Sequence, residues 1–315
     1  MNKLIIAALS MVTLSGYASE IDTTVVFEEP NTKEHWSGLP LWGAKARELG
    51  YNLPVPIGIS LFANTQEVNY ISEDDFILTA HGGMLGGFKG QKGYIIPKDD
   101  VSITGNDQSL QVRADAWILP FLNVYGLAGY TQGTKDITVT LENAKDENEK
   151  PLPILNKIKQ PITIGLDYNA YNLGIGMVAA TQVRVHRKIN PIIITIAGAA
   201  TNAWTNMTDS TILTTVGSVR AGQRYHTEIG EFGIFAGYQY QNIRQDITGS
   251  ISARGTGAEL ILQDLDFNVA LKSKENHNAS IAVMYDFGLG ENWQMFAEYG
   301  FLNWKQITVS AGYRF

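Results

Sequence analysis

Five histidines, His35, His81, His186, His226 and His277, are the first places to look for catalysis or metal binding. None sits in an H-E-x-x-H motif, and no two are spaced to hold a metal from one strand or helix. His277 and Ser280 lie close together in "KENHNAS". Nucleophilic chemistry needs the base within hydrogen-bond reach of the hydroxyl. An offset of three puts the two side chains on opposite faces of a strand, and the segment reads as a loop. "GIGMVA" (Gly174–Ala179) has the letters of a dinucleotide-binding turn. That turn must open a helix, whereas here alternation continues through "ATQVRVH". There is no cysteine, which removes disulfides, thiol catalysis and iron–sulfur ligation together. No catalytic set, metal site or cofactor is expected.

Charges on otherwise alternating segments are the better candidates. Arg113, Asp115, Asp167, Arg184, His186, Arg220, Arg224 and Glu298 all fall on the polar side of strand-like stretches. Two readings follow. The cations could form an anion-attracting constriction in a lumen. Or the interior is filled, and they pair with Asp115, Asp167, Glu231, Asp286 and Glu298.

The elements that carry these residues have period two. From about Ile57 onward apolar and polar residues alternate. "SLQVRADAW" sets Leu110, Val112 and Ala114 against Gln111, Arg113 and Asp115. "TIGLDYNA" sets Ile164, Leu166 and Tyr168 against Asp167. "EFGIFAGYQYQ" sets Ile234 and Tyr238 against Gln239 and Gln241. "DLDFNVALK" sets Phe267, Val269 and Leu271 against Asp266. About fourteen segments read this way. The two between 75 and 104 hold the Gly-rich "HGGMLGGFKGQKG" and are discounted, which leaves about twelve. "ENAKDENEKPLPILNK" (Glu142–Lys157) is one long polar loop. Ahead of the strands, Trp36, Leu39, Trp42, Ala46 and Leu49 have helical spacing and suggest a short amphipathic helix at about 40–49.

The 315-residue chain is 44% apolar and only 17% charged, against about 25% charged in typical domains. A net charge of −7 disfavours nucleic acid as a partner. "MNKLIIAALSMVTLSGYASE" has a basic start at Lys3, an apolar core from Leu4 to Leu14, and Gly16 and Ala18 ahead of a cut. It reads as a secretory signal peptide over 1–18, too short to span a bilayer, which takes about 20 apolar residues. Residues 19–54 then form an N-terminal segment with the helix, and 55–315 the strand domain.

Alternation alone permits a soluble sandwich or a membrane barrel. A barrel turns its apolar face, with Val269, outward to lipid and its polar face, with Asp266, inward, and mid-strand charges on that inward face suit a wet lumen. Aromatics gathered near strand ends on the other (Tyr238, Tyr240, Tyr285, Phe287, Trp293, Tyr299, Tyr313, Phe315) suit an interfacial girdle. The chain ends "SAGYRF" with its alternation intact. This terminus, with Tyr313 and Phe315, resembles the carboxy-terminal assembly signal of Gram-negative outer-membrane β-barrel proteins. The resemblance implies an all-β, antiparallel up-and-down transmembrane barrel of about twelve strands (range 10–14) in that membrane. It further implies contact with lipid and lipopolysaccharide, and recognition by the outer-membrane assembly machinery. The function expected is passive: a narrow channel, a small-solute site or a structural barrel. The alternatives are a membrane-embedded lipid-modifying enzyme and surface adhesion through the 142–160 loop.

Overall fold

Among the described residues, period-two patterning becomes a single sheet of fourteen antiparallel strands. The computed structural model describes residues 38–48, 53–83, 85–153, 155–157, 159–186, 189–205, 211–252, 263–287 and 292–315. The expected signal peptide lies outside these residues. The strands are β1 (Ile57–Ser72), β2 (Phe76–Gly82), β3 (Gly86–Ile96), β4 (Val101–Leu119), β5 (Leu122–Val139), β6 (Lys145–Asp146), β7 (Ile162–Val183), β8 (Ile192–Thr205), β9 (Thr211–Thr227), β10 (Gly230–Ser252), β11 (Asp264–Ser273), β12 (His277–Phe287), β13 (Trp293–Gly300) and β14 (Lys305–Arg314).

The sheet closes on itself. At the end that holds the carboxy-terminus, the ring runs β1–β4–β5–β7–β8–β9–β10–β12–β13–β14 and back to β1. That is ten strands, within the expected range but fewer than twelve. The difference comes from bends that sequence reads as strand ends. β11 and β12 both pair with β10 and form one descending stave, broken between Ser273 and His277. β2 prolongs β1 along the edge of β11, and β3 prolongs β4. The discounted Gly-rich pair is therefore a true hairpin, β2–β3, projecting from the end opposite the termini. "KENHNAS", read as a loop, contains the start of β12.

β13 and β14 are short, and the turn between them, 301–304, stops low in the wall. Above it β11 pairs directly with β1, Tyr70 opposite Ser273. At that level eight staves suffice to close the ring.

The outside changes character with height. Toward the terminus end it is apolar on every side: Leu61, Leu110, Val112, Leu173, Ile175, Met177, Ile196, Ile234, Ile281 and Val309 are all exposed. Aromatic rows bound this belt. At the terminus end Tyr285, Phe287, Trp293, Tyr313 and Phe315 form a contiguous row, Trp293 edge-on to Tyr313 at 5.0 Å. At the other boundary Tyr130 packs on Tyr171 (5.4 Å), while Tyr238 and Tyr240 flank His277. On β5 the belt runs from near Phe121 to Tyr130. At about 3.3 Å per residue and a tilt of about 40°, that is roughly 23 Å, the height of a lipid-facing band. No helix among the described residues is long and apolar enough to cross a membrane.

Beyond the belt polarity inverts. Asn106, Gln108, Gln132, Thr134, Asp136, Asp167, Arg244 and Asp266 face out. The inside is an apolar core of Tyr70, Phe76, Ile96, Ile103, Ile137, Ile247, Phe267, Val269 and Leu271. The period never falters at the crossing. On β10 the inward residues are Gln239 and Gln241 below, then Ile243 and Ile247 above. Two sequence expectations fail here. Val269 is buried in this core rather than lipid-facing, and Asp266 is outward. Tyr168 points inward, so Asp167 lies on the outer surface.

A helix α1 (Gly43–Glu48) forms within the expected 40–49 segment. It lies beside the β4–β5 turn, with Leu41 N–H donating to the Ile118 carbonyl at 2.9 Å.

Candidate functional site in the lumen

Strand pairing places the inward residues of the lower barrel in rows. Where two staves carry long side chains and the one between carries glycine, partners meet across it. Gly58 pairs with Arg314 on β14 and with Asp115 on β4. The Arg314 guanidinium reaches over it and donates to Asp115 Oδ2 at 2.7 Å. It also donates from Nε to the Val55 carbonyl, 2.7 Å. Asn123 Nδ2 donates to the same carboxylate at 2.6 Å, while its Oδ1 accepts from Arg113 Nη2 at 2.9 Å.

A second crossing is wider and spans two staves, β10 and β12. Arg220 of β9 donates to both oxygens of Glu298 on β13, at 2.8 and 2.7 Å. The bond spans Gly237, where an added Cβ would lie 3.3 Å from the Arg220 side chain and 3.5 Å from Glu298. Ser280 donates to the same Glu298 Oε1 at 2.8 Å. Nearer the termini Arg224 bonds Glu231 (2.8 Å) and also Asp286.

Most luminal charges are thus paired, which favours the filled-interior reading: Arg220 with Glu298, Arg314 with Asp115, and Arg224 with Glu231 and Asp286, all across strands. Three expected members of the set are elsewhere. Asp167 is outside, above the belt. Arg184 and His186 are exposed in the turn that follows β7, because that strand ends at Val183. His277 faces out toward Tyr238, while Ser280 is buried and committed to Glu298. The opposite-face argument against that pair therefore holds. His81 contacts Asp266 at 2.8 Å on the outer surface of the projecting hairpin, away from the lumen. No metal-capable cluster occurs among the described residues.

Between the crossed ion pairs and the apolar core lies a cavity of about 320 Å³. One wall is rich in groups: Arg113, Tyr125, Phe62, Phe296, Glu298 and the amides of Gln239, Gln241 and Gln306. The facing wall, from β7 to β9, carries the smaller Val178, Ala197 and Val216 together with Ser218 and Arg220 of β9. Trp304, buried in the β13–β14 turn, forms part of the roof and donates to Gln306 at 3.1 Å. Above, a buried polar layer separates cavity from core. Lys135 Nζ donates to Gln245 at 3.1 Å and lies 4.7 Å from the ring centroids of both Tyr70 and Tyr168. The Tyr168 hydroxyl donates to buried Asp107.

Sequence reasoning missed Tyr125, Phe62, Gln239, Phe296 and Trp304. They carry no charge, and only strand register brings them together. Arg314 was legible: once Tyr313 and Phe315 face out, the residue between them must face in.

Closed pairing and an apolar belt define a transmembrane β-barrel of the outer-membrane type. No family model matches the chain, and no curated protein is similar to it. Among solved structures, the translocator domain of autotransporter NalP from Neisseria meningitidis aligns at 10% identity over 86% of this chain and 92% of its own, with a TM-score of 0.35. The transport unit of autotransporter AIDA-I from Escherichia coli aligns at 10% identity over 82% and 90%, TM-score 0.36. The Ralstonia pickettii toluene transporter TbuX aligns at 9% identity over 84% and 90%, TM-score 0.32. At such scores the assignment rests on the strand pairing and the belt themselves.

Proposed function

We propose that the chain is an outer-membrane barrel with a small-solute site in its lumen, closed toward the cell exterior. Both ends of the barrel domain and most of the short turns share one rim, and the projecting hairpin and the 140–161 loop share the other. Short turns face the periplasm in barrels of this class, so the apolar core lies outside the membrane. The resembled assembly signal at Phe315 and a cleaved leader over 1–18 fit export and insertion by the outer-membrane machinery, with residues 19–54 on the periplasmic side.

One observation carries the functional reading: a cavity of about 320 Å³ sits inside the lipid-facing part of the barrel, with a packed apolar plug between it and the exterior. An open pore would have no core across its bore. A purely structural barrel would fill the cavity with side chains, as close packing favours.

Planar-bilayer recording tests this. The wild type should give rare, small conductance steps. Removing the projecting hairpin (residues 76–96) should give large, steady ones from a barrel that still migrates as a heat-modifiable band. Large steady steps from the wild type would refute outward closure. A folded hairpin deletion that stays silent would leave only the structural role.

A further inference from the structure

We infer that the luminal cavity binds a small organic monocarboxylate, held through Arg113 with its apolar body against the aromatic wall. This rests on the small-solute reading above and names the class of solute.

Around the cavity Glu298 takes Arg220 in a two-point bond, and Asp115 takes Arg314 at 2.7 Å. Asp115 stands 3.9 Å from Arg113 Nε, beyond hydrogen-bond range. Here three guanidiniums face two carboxylates, and Arg113 is the one left without a carboxylate in hydrogen-bond range. The balancing carboxylate lies nearer the termini, where Arg224 holds both Glu231 and Asp286. An Arg cannot shed its proton to relieve this. One such guanidinium matches a monoanion better than a phosphate.

Arg113 is stacked, its guanidinium carbon 3.8 Å from the Tyr125 ring centroid and 5.8 Å from that of Phe62. Rings against the faces leave the in-plane N–H groups as the points of attack, which is the fork a carboxylate accepts. Only Nη2 is committed, to the neutral Asn123 amide. Nε makes no hydrogen bond, and Arg113 lines the cavity. Buried polar atoms without partners are rare in folded proteins and mark places where another group completes the set. About 320 Å³ is at the small end of ligand pockets, and Phe62, Phe296 and Trp304 offer apolar surface next to the cation.

The test uses the full mature chain refolded in detergent, with benzoate and its neutral isostere benzamide as probes, read by calorimetry. Benzoate should bind saturably, and benzamide about tenfold or more weaker, the worth of charge-assisted hydrogen bonds. Arg113→Gln should erase that preference. Arg113→Lys keeps the charge without the fork, and should bind benzoate more weakly than wild type while still favouring it over benzamide. Asp266→Asn, on the outer surface, should change nothing. Equal binding of the two probes would overturn the carboxylate assignment and leave the small-solute reading intact. Failure of both probes to bind would overturn both. Should Arg113→Gln fail to refold, the probe comparison in wild type and the Lys variant still decides.

Discussion

Arg314, the second-last residue of the chain, donates to Asp115 across the whole width of β1, 2.7 Å from Nη2 to Oδ2. The two are 199 residues apart in sequence and lie on strands that do not touch. Gly58 makes the crossing possible. A Cβ there would lie 3.0 Å from the Arg314 guanidinium and 3.1 Å from Asp115. The last strand, the first strand and the second stave are locked by one buried ion pair at the point where the ring closes.

Breaking that lock should be costly. Arg314→Ala leaves the Asp115 carboxylate buried with Asn123 as its hydrogen-bond donor, and should destabilise by about 3–5 kcal/mol. Gly58→Val should cost about 1–3 kcal/mol by overpacking, with the charges still present. Urea unfolding in lipid vesicles measures both. If the bridge is the reason Gly58 matters, Gly58→Val should cost much less in the Arg314→Ala background.

The terminal aromatic behaves differently. Phe315 is half exposed at the rim, stacked on Tyr313, and its N–H donates to the Ile57 carbonyl. Its deletion should cost about 1–2 kcal/mol in vitro. Accumulation in the outer membrane should fall much further, because unassembled strands are open to periplasmic proteolysis. Cell fractionation beside detergent refolding separates the two effects. Normal accumulation would show the final aromatic to be incidental.

Charge placement distinguishes the belt from the plug. Ile175 lies outward, midway between Tyr171 and the turn at Phe121. Ile175→Arg should cost roughly 2–4 kcal/mol in vesicles, yet leave refolding in detergent nearly normal. Val269→Arg puts an unpaired charge in the apolar core. It should expose the outer half to trypsin in intact vesicles while the lipid-facing barrel stays protected. A reversal of these outcomes would return Val269 to the lipid face.

The polar loop offers a pH test. Asp146 Oδ1 accepts from the backbone N–H of Lys150 at 2.8 Å and of Asn148 at 2.9 Å. These bonds, Lys150 foremost, hold its carboxyl below the usual carboxylate range. A depressed acid contributes order above its unfolded pKa and loses it as pH falls through the folded one. Amide exchange at Asn148 and Lys150, corrected for intrinsic rates, should therefore stay slow at neutral pH and quicken only in acid below that range. Asp146→Asn should remove the dependence.

Much of the barrel was legible in its sequence. Alternation located the strands, and mid-strand Arg113, Asp115, Arg220, Arg224 and Glu298 are inside as the polar face of a barrel requires. What alternation cannot show is which face is inside. On β7, Ile175 and Ile164 are both apolar residues of one strand. Their odd offset puts the first in lipid and the second against the core. Local sequence changes little where the surrounding solvent changes from hydrocarbon to water, so Asp167 and Val269 were assigned to the wrong sides. The ring has ten staves, at the low end of the expected range, for a related reason. A bend such as Ser273–His277 has the polar composition of a turn, and only pairing of both halves with β10 shows the chain running straight on. The cavity was invisible because its wall is mostly amides and rings that meet only through register.

The short last hairpin has a consequence for the shape of the vessel. Where Tyr70 meets Ser273, eight staves already form a closed neck, and β13 with β14 only adds girth below it. Chamber and stopper are therefore sized by different parts of the chain. Lengthening or shortening one hairpin near the carboxy-terminus would alter the bore inside the bilayer while the seal above kept its own packing. Selectivity and closure can thus drift apart under mutation, each without rebuilding the other.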